Sequence, residues 1–505
     1  MTGLAFVGLV MLVVMIGAIF IGFPISFTLL FLAFTFGYFG LGEATVFSLA
    51  YFQTIGMMKE ELLAAVPLFI FMGFIVEQAG LMERLFTAFR LLLAPIRGAL
   101  FAVVILTAAV FAMATGIVGA AVTVLGIMAS PIMVKTGYDG RLSAGAITAG
   151  GTLGILIPPS VMLIVMGPVL GVSVADLYAA AFGPGFLLAA LYLVYLLGRA
   201  FFNPKLGPPV PREERIYGAG RIVSEVLLGV VPLLGLIAAT LGSILAGLAT
   251  PTEASGVGAL GGLILAASYR KLTYEGLKRA VLATTATSSM VLFLAVASNI
   301  FGAVFARMGT ANWITDTMLA LPLPPVAMLI VVIVLIFLLG WPFEWPAIIL
   351  VFLPIFYPVM DALKPALGQS LAIPVDMVMI WFGALVAVTL QTAFLSPPVA
   401  MSAYYLRQVV REWSLATIYK GMFEFMILQV IAIALIVAFP VIVTALPEQL
   451  QAEARAVKTE EVDDSGNRLE DPYSQGVQRQ SEQMKEEEGG GDSLEKDDLS
   501  AKPKK

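Results

Sequence analysis

The chain has 505 residues, of which 59% are hydrophobic and only 12% charged, about half the charge of a typical soluble domain. Apolar runs of about 17–25 residues suit bilayer-spanning helices and lack the alternation of a membrane barrel, so the expected class is an all-α polytopic membrane protein. Cysteine and histidine are both absent, which excludes disulfides, thiolate clusters, His-held haem and the usual zinc or copper centres; no phosphate-binding loop, kinase or hydrolase motif points to an ATPase or other enzyme.

The net charge of −5 belongs to the C-terminal end. From Leu446 onward sixteen Asp/Glu face nine Lys/Arg, a balance of −7, so the remainder carries +2. Residues 446–505 are polar and charged with almost no apolar pattern, and are expected to be a disordered tail.

In chain order, no Lys or Arg precedes Lys59, so the basic opening of a cleavable signal peptide is not seen. Residues 4–22 predict a first span, and Pro24 opens a second that ends near Gly40. A loop with Glu43, Glu60 and Glu61 leads to a third span at 62–79. Residues 81–94 are amphipathic and predict an interfacial helix. Residues 98–134 are apolar but interrupted at Thr115-Gly116 and Gly119, with Arg90 and Arg97 before them and Lys135 and Arg141 after. That pattern predicts a re-entrant hairpin entered from the cytoplasm.

The next span, 142–171, is broken at Gly151-Thr-Leu-Gly-Ile-Leu-Ile-Pro-Pro-Ser160. Pro158 and Pro159 donate no N–H and crowd the preceding turn, and Gly151 and Gly154 loosen the backbone before them. A lone double proline is also compatible with a simple kink. A further span at 178–200 closes the first half, and 201–221 is a basic, proline-rich linker with Lys205, Arg212, Arg215 and Arg221.

The second half, 222–445, repeats the plan. Spans at 222–246, 251–268 and 280–306 surround a basic loop with Arg270, Lys271, Lys278 and Arg279. An interfacial stretch at 310–321 precedes a second interrupted hairpin at 324–360, whose tip is Gly340-Trp-Pro-Phe-Glu-Trp-Pro346 and whose outer ends are mildly acidic. A second broken span, 375–410, carries Gln391-Thr-Ala-Phe-Leu-Ser-Pro-Pro-Val399, and the last span is 417–445. Pro24 matches Pro251, Gly80 matches Gly309 and Pro158 matches Pro397, at offsets of 227 to 239 residues. Basic loops belong in the cytoplasm. That rule places the linker inside and the second hairpin's ends outside, so residues 1–200 and 222–445 read as inverted repeats with both termini periplasmic.

Two interrupted segments at corresponding positions of two halves mark a secondary transporter's binding site. Helix half-ends would meet near the midplane, with Thr115, Thr152, Ser160, Thr392 and Ser396 as hard oxygen ligands suited to sodium. Apolar-segment hydroxyls also bond their own helix carbonyls, which is the commoner use of any one of them. Glu344, an ionisable group in a hairpin tip, is a functional candidate by its cost in lipid; balancing sodium charge, carrying a proton and bonding opposing amides all remain open for it. Glu253 is expected to cap a helix N-terminus. No Arg or Lys stands at mid-membrane, so a carboxylate solute would be held by helix N-termini and bound sodium.

Thr115-Gly-Ile-Val-Gly-Ala120, Gly137-Tyr-Asp-Gly-Arg141, Gly151–Ser160, Pro251-Thr-Glu-Ala254 and Leu390-Gln-Thr-Ala-Phe-Leu-Ser-Pro-Pro398 together closely resemble the large membrane subunit of tripartite ATP-independent periplasmic (TRAP) transporters, over nearly all of residues 1–445. The tail has no counterpart in the usual family pattern. The resemblance implies an elevator-type inner-membrane transporter driven by sodium, with scaffold and transport domains. It also implies a small four-helix membrane partner and a periplasmic solute-binding protein that delivers an organic acid. The candidate substrate and sodium residues are Thr115, Gly116, Gly151, Thr152, Gly154, Pro158, Ser160, Gly340, Glu344, Thr392, Ser396 and Pro397, with a first sodium site near Thr115, Gly154 and Pro158 and a second near Gly340, Ser396 and Pro397. Sodium is a coupling ion here, and no organic cofactor is expected. The tip sequences resemble the branch often assigned to mannitol or chloroaromatic compounds, whose relatives handle 2-oxo acids or lactate. Sialate and C4-dicarboxylate relatives often have a serine-rich first tip, where this chain has Ile117 and Val118. Their second tip commonly reads Gly-Met-Phe-hydrophobic-Asp, where this one reads Gly-Trp-Pro-Phe-Glu. A stand-alone sodium–carboxylate symporter of the same architecture is the alternative.

Overall fold

The computed structural model of the chain describes residues 3–209, 219–397 and 400–460. Pro398, linker residues 210–218 and the tail beyond Glu460 lie outside the described residues. Nine helices among those described are long and apolar enough to cross a membrane. Lipid offers no partner for backbone N–H and C=O groups, so each spanning segment must satisfy its own as a helix.

The first half contains α1 (Gly3–Ile21), α2 (Ile25–Leu41), α3 (Glu43–Met58), α4 (Ala65–Gln78), α5 (Leu81–Leu93), α6 (Ala99–Thr115), α7 (Val118–Lys135), α8 (Gly140–Thr152), α9 (Val161–Leu170) and α10 (Val174–Phe202). In the second half α11 (Ala219–Gly229), α12 (Val231–Ile237) and α13 (Ser243–Leu245) form one segment through a π turn at Ala238–Gly242. They are followed by α14 (Pro251–Ser268), α15 (Tyr274–Arg307), α16 (Thr310–Leu319) and α17 (Pro325–Leu339). The return arm of the second hairpin is α18 (Trp345–Ala347), a π turn at Ile348–Phe352 and α19 (Leu353–Leu371). The chain continues through α20 (Val378–Leu395), α21 (Met401–Val409), α22 (Leu415–Ala438) and α23 (Val441–Glu460).

Side-chain caps mark many of the starts. Asp139, Ser160, Ser173, Thr273 and Ser414 each accept a first-turn amide of the helix they precede. Thr250 and Glu253 form a reciprocal capping box at α14, the structural role expected for Glu253. Gly80 and Gly309, paired in sequence, are both left-handed and both open the short helices α5 and α16.

Helix pairing follows an exchange. α4 packs on α14 and α2 on α15; α5 packs on α11 and α16 on α1; α8 packs on α22 and α20 on α10; α7 packs on α21 and α19 on α9. If α2 corresponds to α14, α4 to α15 and so on along the halves, each contact has its twin with the partners swapped, the reciprocity of a two-fold axis. Close approach needs small residues, because lipid supplies no hydrophobic drive between helices. A Cβ on Gly421 of α22 would lie 2.1 Å from the Arg141 carbonyl oxygen at the start of α8, and one on Gly258 of α14 would lie 2.6 Å from the Met72 sulfur on α4. The core is formed by the interrupted helices: every residue of α20 except Phe394 is buried, as is α8 from Leu142 to Thr152. Large apolar side chains such as Phe27, Phe31, Phe39 and Phe52 face outward, as lipid contact permits.

Three sequence expectations are corrected. The loop placed around Glu43 is helix α3, with Val46 and Ala50 buried and the helix packed on α15. Its Thr, Ser and Gln residues dilute the apolar run without breaking a helix. Together α3 and α4 match the single 34-residue α15. That helix starts at Tyr274, six residues before the expected span, and carries Lys278 and Arg279 on its own first turns. The tail expected to be disordered from 446 begins as helix, since α23 runs through Glu460; Ala, Glu and Leu favour helix there.

Candidate functional site

The first break is assembled from both sides of the double proline. α8 ends at Thr152, and a 3₁₀ turn at Leu153–Ile155 leads into the cis-linked Pro158-Pro159. Ser160 then starts α9, accepting from the Leu163 amide at 3.4 Å and donating to the Ile155 carbonyl at 2.5 Å. The carbonyls of Gly154 and Pro159, in the turn between the helices, and the Val161 amide at the start of α9 therefore line one gap. The α6–α7 turn closes on that gap. Gly116 has φ +61°, a left-handed conformation that favours glycine; a Cβ there would sit 3.6 Å from the Pro159 carbonyl oxygen and 3.8 Å from that of Gly154. From α4, a Cβ on Gly73 would come within 2.7 Å of the Thr115 carbonyl oxygen, so α4 crosses directly over the tip. Gly151 serves packing instead: its face meets Val122 of α7.

The second break follows α20. Ser396 donates to the Thr392 carbonyl at 2.7 Å and lies 3.2 Å from the Met426 sulfur. Pro397 is exposed, and Ala400, just before α21, has φ +29°, a strained value for a residue with a Cβ. Gly340 ends α17 against this helix, where a Cβ would lie 3.0 Å from Ala393 Cβ. Glu344 immediately precedes α18 and makes no capping hydrogen bond.

Both tips and both broken helices open onto one cavity of about 150 Å³. Gly116, Ile117 and Gly119 come from the first tip, Glu344 and Trp345 from the second, and Ile155, Val161, Phe394 and Tyr405 from the broken helices. The opposite wall is Ile70 of α4 with Thr287 and Met290 of α15. The structure thus gathers the tip residues Gly116 and Glu344 at one cavity, with Thr115 and Gly154 beside it. Gly151 and Thr152 lie in the packed core behind, Gly340 packs on α20, and Pro397 faces outward.

All five candidate hydroxyls donate to backbone carbonyls of their own segments: Thr115 to Phe111, Thr152 to Ala149, Ser160 to Ile155, Thr392 to Thr389 and Ser396 to Thr392. This is the ordinary use of such groups. It commits the proton and leaves oxygen lone pairs for another partner. Among the described residues no group of three or more acidic side chains is placed to hold a metal ion; Glu344 is the acidic side chain in the cavity lining.

Sequence reading missed a second polar cluster behind the breaks. Tyr192, Gln391 and Gln429 are fully buried, and each interrupts an apolar run with an uncharged polar side chain. That was the available signal, since polar groups in spanning helices are costly. Gln391 donates to the Thr152 carbonyl at 3.2 Å, joining one broken helix to the other.

Comparison with known proteins identifies the family. The sialic acid TRAP transporter large permease SiaM of Vibrio cholerae is 28% identical, over 86% of this chain and 96% of its own. The C4-dicarboxylate TRAP transporter large permease DctM of Pseudomonas aeruginosa is 29% identical, over 77% of this chain and 86% of its own. The YdaH transporter of Alcanivorax borkumensis shares the fold at 16% identity, with a TM-score of 0.55 over 79% of this chain and 88% of that one. Residues 12–442 match the model of the tripartite ATP-independent periplasmic transporter, DctM component. This multi-pass chain therefore belongs to the DctM family of tripartite ATP-independent periplasmic transporters, as a large permease and not an enzyme.

Proposed function

We propose that the chain carries a small organic acid inward across the inner membrane, coupled to sodium, after delivery by a periplasmic binding protein and together with a small membrane subunit. The observation that carries this reading is the shared cavity, where two hairpin tips and two helix breaks converge on about 150 Å³. Backbone oxygens of Gly154 and Pro159 beside Gly116 supply hard ligands for one sodium ion, with the Thr115 hydroxyl adjacent. Ser396 and the Gly340 tip supply the second. An ionised Glu344 on the cavity wall would repel a carboxylate, so cations entering with a solute anion would ease its approach. α4 and α15 face the hairpins across the cavity, which suits an elevator in which hairpins and broken helices form the moving domain and α1–α5 with α11–α16 the scaffold.

The cavity's size and apolar wall of Ile117, Val161, Met290 and Phe394 favour a short acid with an aliphatic chain, such as a 2-oxo acid or lactate, over a sugar acid. The test is uptake by proteoliposomes holding both membrane subunits, with and without the binding protein. A three- to six-carbon 2-oxo acid should accumulate only with the binding protein present. Uptake that ignores the binding protein would favour the stand-alone symporter, and uptake of sialic acid in preference to short acids would overturn the substrate class.

A further inference from the structure

The two helix breaks are joined through one side chain. Gln391, five residues before Ser396 on α20, donates its Nε2 proton to the carbonyl of Thr152 at 3.2 Å. Thr152 is the last residue of α8, so that carbonyl is one of those a helix C-terminus leaves without an intrahelical partner. Two residues further on, the Gly154 carbonyl faces the Gly116 tip. Gln391, Thr152, Tyr192 and Gln429 are each fully buried. The Gln391 Oε1 accepts no hydrogen bond from protein, and the Gln429 and Thr152 side chains lie within hydrogen-bonding reach of the Tyr192 hydroxyl. Four elements (α8, α10, α20 and α22) thus place polar side chains at one point in an otherwise apolar core. A polar node there is costly unless it is used.

Resting on the sodium reading above, we propose that Gln391 is a positioning residue that couples the two ion sites, so that occupation of one break sets the affinity of the other. A cation drawing in the Gly154 carbonyl must shift the 3₁₀ turn that begins one residue after Thr152. The Thr152 carbonyl is held by Gln391, and Gln391 belongs to a helix buried along nearly its whole length. Displacement at the first break therefore reaches α20 and, through it, the Thr392 carbonyl and Ser396 hydroxyl at the second. Such coupling is reciprocal, and its usual size is about 5- to 150-fold in affinity. Tyr192 and Gln429 pack the far side of the node and keep Thr152 in place.

The test is the sodium dependence of initial uptake in proteoliposomes holding the complete membrane complex and binding protein, for the parent chain, Gln391→Met and Tyr192→Phe. The parent should show a Hill coefficient above one. Gln391→Met, of similar size but unable to donate, should bring it to about one and raise half-saturating sodium at least fivefold, with the substrate KM at saturating sodium unchanged. Tyr192→Phe, which removes one oxygen, should shift both in the same direction by less and carries the test if Gln391→Met does not assemble. A Gln391→Met complex that is slower or less thermostable but keeps the parent's Hill coefficient overturns the coupling, as does a parent without cooperativity. A parent whose uptake ignores sodium altogether fails the functional reading itself.

Discussion

Ser396 and Ser160 use their hydroxyls differently, and the difference predicts separable outcomes. Ser160 is both an N-cap and a donor, so Ser160→Ala should destabilise the purified protein by about 1 kcal/mol, as loss of a capping hydroxyl commonly does, read as a lower melting temperature. Ser396 caps no helix: its hydroxyl faces the Thr392 carbonyl one turn back and the Met426 sulfur. Ser396→Ala should leave melting nearly unchanged and raise the sodium concentration for half-maximal uptake; an unchanged sodium curve would remove Ser396 from the second site. A third residue, Glu424, gathers charge at the α8–α10–α22 junction. It pairs with Arg141 at 2.9 Å, lies 3.8 Å from Arg199 and accepts from Tyr195. Both arginines are partly exposed, so Glu424→Gln should cost on the order of 1 kcal/mol, and the deficit should shrink when melting is repeated in high salt.

At the scale of elements, the features legible in the sequence were those with a chemical cause in one short stretch. The double proline announces a break because two amides are missing, and Gly116 announces a turn because its backbone must be left-handed. α3 was invisible for the opposite reason. Its helix depends on packing against α15 and not on a continuous apolar run, and no local pattern of Glu43–Met58 records that partner. The Gln391–Thr152 link spans 239 residues and was beyond any local reading, although a glutamine within a largely apolar span was itself a visible anomaly. The breaks also carry the main prediction at this scale. Replacing Pro158-Pro159 with Ala-Ala removes a barrier of roughly 3 kcal/mol per helix-interior proline and lets α8 and α9 join. Freed carbonyls such as that of Gly154 would then be satisfied internally. The variant should insert and assemble with its partners yet lose sodium-dependent uptake; unchanged transport would reduce the break to a kink.

For the whole molecule, the reciprocal pairing of α4–α14 with α2–α15, and of α8–α22 with α10–α20, means that neither half can bury its helices alone. An inverted repeat follows if the first half crosses the membrane an odd number of times, as it does when α1, α2, α3 with α4, α8 with α9, and α10 each count as one crossing. On the rule that basic loops stay in the cytoplasm, the linker is expected inside and the end of α22 outside. Because the chain contains no cysteine, single cysteines can be placed at will. In intact cells an impermeant thiol reagent should label a cysteine at Asn203 only after lysis, and one at Phe439 before it; the reverse pattern would undo the assigned orientation. In the proposed mechanism, sodium bound at the tips and breaks drives the solute. The most direct measurement is solute accumulation in proteoliposomes of the complete transporter under an inward sodium gradient, compared with equimolar potassium on both sides and no ATP. Accumulation above the equilibrium level is expected with sodium and none with potassium. Equal accumulation in the two conditions would contradict that mechanism.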